Sequence, residues 1–248
     1  MTAIKHISQL IHQQSIDEAL RILGPLLDNA PDNAQLWCLN GWAAFETKNF
    51  KLACASYERA TLLVPLSLPD QVRLAISYSR IRRRDIAKTI LLFVGEFIDE
   101  LDQTTLAFVV QITLRIKLNE IAKNACEQGR RRFPENAVFW AGSAQVMNRI
   151  LPAEVIELFL AKAAELEPDN AAYRISLSRL QLNLGDHEAA KKSLNFDISG
   201  MRCYANLQRL KCLFEELCNT ERVEECDYEI SRLYHEVTSR RGFPDSWD

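Results

Sequence analysis

The feature that most constrains this chain is a compact side chain that returns about every 34 residues. The series runs Ala19, Ala53, Ala87, Ala122, Ile156, Ala190 and Cys226, at steps of 34, 34, 35, 34, 34 and 36, and Ile156 alone breaks the run of small residues. A proline keeps step at Pro31, Pro65, Pro134 and Pro168, with Asp99 in the remaining place. Three of these turns read nearly alike: Pro31-Asp32-Asn33-Ala34, Pro134-Glu135-Asn136-Ala137 and Pro168-Asp169-Asn170-Ala171. Each ends one helix with Pro and offers Asp, Glu or Asn to cap the next. Self-similarity at this period marks stacked helix pairs, none of which buries its apolar face alone. No strand-like alternation competes with it.

The stretch Asn33 to Pro65 shows what one unit contains. Gly41 on its first helix and Ala53 and Ala60 on its second lack bulk, so the helices can approach closely. Trp37 and Tyr57 fill the space beside them, and Pro65 ends the unit. These six residues occupy marker positions of the tetratricopeptide repeat (TPR) family, which the stretch resembles; Asn40 stands where that family prefers leucine and Ala44 where it prefers an aromatic. The resemblance extends over about residues 1–240 and implies an all-α, right-handed α-solenoid of about seven helix-turn-helix repeats. Its units fall near 1–33, 34–67, 68–101, 103–136, 137–170, 171–204 and 207–240, followed by a polar tail, 241–248, with Phe243 and Trp247 available to dock. Units two and five carry the markers most fully, whereas four and seven are divergent. The second helix of unit six reads as short, because Asp197-Ile198-Ser199-Gly200 has the composition of a loop.

Composition bounds the function classes. A net charge of -3 gives no global attraction to nucleic acid or anionic membrane. The start of the chain lacks the apolar core of a signal peptide, and Ile90 to Ile98 is too short to span a bilayer. Seven cysteines without framework-like spacing fit reduced thiols, and the expected location is cytoplasmic.

The resemblance also implies use: first helices of successive repeats line a concave groove that receives a peptide or partner helix. Counting from the markers, the groove positions include Trp42, Phe45 and Glu46 in unit two and Val72, Arg73, Ile76 and Arg80 in unit three. Unit four adds Phe108, Gln111, Leu114 and Arg115, unit five Gln145, Asn148 and Arg149, and unit six Ile175, Arg179 and Asn183. Arg80, Arg115 and Arg149 form a row at equivalent positions, flanked by Arg73 and Arg179. Trp42, Phe45, Ile76 and Phe108 make an apolar patch. Together they suit a segment with acidic residues and apolar anchors. A second reading stays open for each: the arginines complement the dipole of a helix's last turn, and Trp42 and Phe45 pack inward in place of the aromatic missing at Ala44. The carboxylate clamp of some TPR proteins is matched only at Arg73, since Ile4, Ser8, Leu39 and Pro69 occupy its other places.

No glycine pattern suits a phosphate loop, and His6, His12, His187 and His235 are too scattered for a metal motif. Cys212, Cys218, Cys226 and His235 match no zinc spacing. Arg82-Arg83-Arg84 and Arg130-Arg131-Arg132 read as turn and helix-end charge rather than a nucleic-acid site. The expectation is a non-enzymatic adaptor without metal or cofactor, binding another protein in its groove; a secretion or assembly chaperone is its specific form. The alternatives are a self-associating structural repeat protein, a homo-oligomer without a groove ligand, and, more remotely, a metal-dependent enzyme.

Overall fold

The computed structural model describes residues 2–240; the tail 241–248, with Phe243 and Trp247, lies outside the described residues. The described residues form an all-α solenoid with no strand. The chain groups into two compact units, Met1–Pro134 and Glu135–Asp248. The first holds α1 (Thr2–His12), α2 (Ile16–Asn29), α3 (Ala34–Glu46), α4 (Phe50–Thr61), α5 (Leu68–Arg80), α6 (Arg84–Val94), α7 (Gln103–Ile116) and α8 (Asn119–Arg132). The second holds α9 (Ala137–Met147), α10 (Ala153–Leu166), α11 (Ala171–Asn183), α12 (His187–Ser193), α13 (Tyr204–Glu216) and α14 (Thr220–Arg240).

The recurring small residues sit where each pair closes. Ala19, Ala53, Ala87, Ala122 and Ala190 are wholly buried, as is Cys226, and Ile156 is nearly so. Gly41 shows why bulk is excluded: a Cβ added there would lie 2.9 Å from the ring of Tyr57, itself completely buried. Asn40 replaces the expected leucine because its amide donates to the buried Ser56 hydroxyl on α4 at 2.8 Å. That exchanges an apolar contact for a satisfied polar pair. Unit four loses its small residue on the first helix, where Val110 is buried, and recovers the space on the second with Ala122, Ala125, Cys126 and Gly129.

Turns between pairs are held by the asparagines of the repeated text. Asn33, Asn136 and Asn170 accept backbone N–H bonds at the starts of α3, α9 and α11, and Ser67 and Asp102 do the same for α5 and α7. Where Asp99 replaces proline, the chain makes a 3-10 turn, Gly95–Glu100, and Arg132 donates to the carbonyls of Ile98 and Leu101 at 3.2 and 2.6 Å. Part of the second arginine run is thus spent on closing a repeat.

Turns inside pairs repeat more strictly than the sequence does. Gln14, Lys48, Arg82, Lys117 and Cys218 all adopt left-handed φ of 55 to 68°, and Gly185 does so at 82°. The next residue in each case sends its N–H back five residues: Ser15 to Leu10, Asn49 to Ala44, Arg83 to Tyr78, Leu118 to Thr113, Asp186 to Gln181 and Asn219 to Phe214. This is the Schellman closure, which satisfies the last carbonyls of one helix. The fifth pair departs from it, with a longer connection through Leu151 and Pro152. After the short α12, the backbone of Leu194–Cys203 is irregular, and Leu194 and Ile198 fill the core in place of a further helical turn. Arg174 donates to the carbonyls of Ser193 and Asn195 there, and Arg222 to that of Phe196.

Gly41→Ala is expected to lower stability by about 1–3 kcal/mol. Gly24→Ala, whose Cβ would meet nothing within 4 Å, is expected to leave stability unchanged or raise it by up to about 1 kcal/mol; equal losses in urea denaturation would contradict the close approach at Gly41. Lys117→Ile is expected to cost about 1–2 kcal/mol through its left-handed backbone, and Lys117→Gly to cost nothing comparable.

Candidate functional site

In the first unit, the ends of α3 and α5, the middle and last turns of α7 and the start of α4 line a pocket of about 270 Å³. Its walls include Phe45, Phe50, Ile76, Phe108 and Ile112, and its rim Glu46, Lys48, Arg80, Gln111 and Arg115. Phe45 stands roughly edge-on to both Phe50 and Phe108, with centroids 6.1 Å apart in each pair. The three rings are half-buried, whereas Ile76 and Ile112 belong to the core beneath. Seven of the groove residues expected from sequence therefore come together: Phe45, Glu46, Ile76, Arg80, Phe108, Gln111 and Arg115.

The rim is cationic. The Arg80 guanidinium lies 5.7 Å from the Phe50 ring centroid, within cation–π range. Arg115 donates to the Ser79 hydroxyl at 3.2 Å. Partial burial and the neighbouring charges of Arg80 and Arg84 hold Arg115 below the usual arginine range. None of the ion pairs among the described residues involves Lys48, Arg80, Arg84 or Arg115. Arg84 also opens α6, where the helix dipole disfavours a cation.

Trp42 and Arg73 are placed differently. Trp42 packs against the core of the first two repeats, edge-on to His12 at 4.6 Å, and its indole N–H donates to Glu46 at 2.9 Å. The Arg73 guanidinium covers the Trp42 ring at 4.7 Å and pairs with Asp70 at 3.0 Å. Both tie repeats together outside the pocket lining. Val72 is completely buried, because it lies on the face of α5 that meets its neighbours.

In the second unit, α9, α10, α11 and α13 line a broader groove of about 590 Å³. Gln145, Asn148, Ile175, Arg179 and Asn183 border it as expected, together with Tyr173 and Arg209. Arg179 donates to both carboxylate oxygens of Glu216 at 2.5 and 2.6 Å, which links α11 to α13. Arg149 is exposed in the turn after α9 and does not line this groove.

Lys48, Phe50 and Arg84 were beyond a reading that counted only first-helix positions. They lie in or just after the turns at Lys48 and Arg82, and the one signal for them is that they follow Phe45 or Arg80 within five residues. A third, mostly apolar pocket of about 520 Å³ opens between α4, α5 and α6 beside the exposed Leu62. Among the described residues, no three His, Cys, Asp or Glu side chains gather as metal ligands, and no helix is long and apolar enough to cross a membrane. Burial pushes the thiols of Cys38, Cys54 and Cys226 up to about 11, so they stay protonated at neutral pH.

The charge geometry makes a stability prediction. Arg115→Gln is expected to leave stability unchanged or slightly higher, because it relieves repulsion and breaks no ion pair. Arg179→Ala is expected to lower it by up to about 1 kcal/mol, less at high salt. Urea melts at two ionic strengths check both; a large loss from Arg115→Gln would show a structural role for that side chain.

A tetratricopeptide repeat family model matches residues 10–65. Among solved structures, the chain is similar to the Cut9–Hcn1 hetero-tetramer of the APC/C, with TM-score 0.70 and 14% identity over 92% of this chain and 45% of that one. A tetratricopeptide repeat protein from Parabacteroides merdae ATCC 43184 gives TM-score 0.68 and 12% identity, covering 98% of this chain and 93% of that one. YrrB, described as a TPR protein with an unusual peptide-binding site, gives 0.56 and 15%, covering 75% and 91%. The chain spans less than half the length of the first of these. No curated protein matches it in sequence.

Proposed function

We propose that the chain is a tetratricopeptide repeat protein throughout and a non-enzymatic adaptor that holds a segment of another protein in the aromatic, cationic pocket of its first unit. The fold is a protein-interaction scaffold in general, and function is argued from the site it carries. The observation behind the reading is the meeting of Phe45, Ile76 and Phe108 with Arg80 and Arg115 around one opening. An apolar anchor would bury against the rings while acidic groups accept from the guanidiniums. The groove of the second unit, with Gln145, Asn148 and Asn183, separately offers amides to a peptide backbone. A chaperone that shields an amphipathic stretch of its client is the specific form of this reading. Seven cysteines without framework-like spacing agree with a cytoplasmic setting.

Self-association is the second reading, favoured by the apolar outer pocket and by the exposure of Leu62, Leu92 and Phe93. Sedimentation across a wide concentration range separates it: a monomer throughout removes it. For the adaptor, the triple variant Arg80→Glu, Arg84→Glu, Arg115→Glu is expected to abolish partner capture with helical content and melting unchanged. Unaltered capture would remove the arginines from the mechanism.

A further inference from the structure

Resting on the adaptor reading of the first unit's pocket, we propose that its occupant is a phosphotyrosine side chain of a partner protein. The size of the opening is the first ground. At about 270 Å³, it falls below the roughly 300–1,000 Å³ of small-molecule sites and suits one large side chain rather than a cofactor. Its walls are the second. Phe45 meets Phe50 and Phe108 edge-on, and this arrangement leaves ring surface for a further aromatic side chain.

The balance of charge is the third ground. Lys48, Arg80 and Arg115 line the pocket against one carboxylate, Glu46, which leaves two positive charges in excess. A phosphate monoester carries about −1.5 to −2 charge and three acceptor oxygens; a carboxylate would leave one cation uncompensated. The Trp42 indole N–H already occupies one oxygen of Glu46. The spacing agrees as well. The Arg80 guanidinium stands 5.7 Å from the centre of the Phe50 ring, so aromatic wall and cation lie close enough for a single residue to bear both the ring and the anion. The Ser79 hydroxyl accepts from Arg115 and fixes that guanidinium on the rim. Arg84, outside the lining but close enough to act on Arg115, adds to the positive field.

The test is fluorescence polarisation of the full chain with a labelled, capped Ala-Ala-phosphotyrosine-Ala-Ala peptide, beside its tyrosine and phosphoserine counterparts. The phosphotyrosine peptide is expected to bind at least about tenfold more tightly than either, because ring and dianion are both needed. Its binding should weaken with salt, yield to excess inorganic phosphate, and be lost in Arg115→Gln, Arg80→Gln and Phe108→Ala proteins of unchanged circular dichroism. Equal binding of the tyrosine or phosphoserine peptide, no binding of any of the three, or full binding by both arginine variants would overturn the proposal. Partner capture that survives phosphatase treatment but fails in the triple Arg→Glu variant would remove phosphotyrosine and leave the adaptor reading intact. Capture indifferent to the triple variant would remove the adaptor reading at this pocket.

Discussion

The left-handed turn that closes six of the seven described helix pairs is the constraint on which the rest of the structure depends. One residue at positive φ lets the following N–H return to the end of the first helix, and that same following residue begins the second. At Asn49, Asp186 and Asn219 its side chain also caps the second helix. Backbone bonds thus help to fix the hairpin at each of these turns. Within that hairpin, small residues decide how near the helices come, as at Gly41 under the Tyr57 ring.

The pocket is a by-product of the same geometry. A turn that reverses the chain brings the last residues of α3 and the first residues of α4 to one edge, so Phe45 and Phe50 meet. Stacking the next two pairs brings the ends of α5 and α7 to that edge. Arginine at such helix ends is favoured by the dipole, which explains Arg80 and Arg115 singly. It does not explain Arg84 at a helix start, nor three guanidiniums gathered without an acidic partner among the described residues. Repulsion of this kind costs stability in the free protein, and a bound anion would relieve it.

Much of the fold was legible because its cause is periodic. Small residues, prolines and the Pro-Asp/Glu-Asn-Ala text recur in the sequence, and the buried alanines and capping asparagines are their direct consequences. The left-handed positions were not legible, since Gln14, Lys48, Arg82, Lys117 and Cys218 have no composition in common and Gly185 alone is the residue expected there. The site divided in a similar way. Arg80, Arg115, Phe45 and Phe108 followed from register, because equivalent positions face one way. The inward packing of Trp42 depends on His12 and Arg73, and the engagement of Arg179 depends on Glu216 37 residues away. Such pairings are specific side-chain encounters that no period announces.

The proposed binding site for partners is where α3, α5 and α7 meet the start of α4. Hydrogen exchange of the chain with and without a captured partner tests it most directly. Slowed exchange concentrated in residues 45–50, 76–84 and 108–117 is the result expected. Slowed exchange on the outer faces of α4 and α6, with those three stretches unchanged, would contradict it.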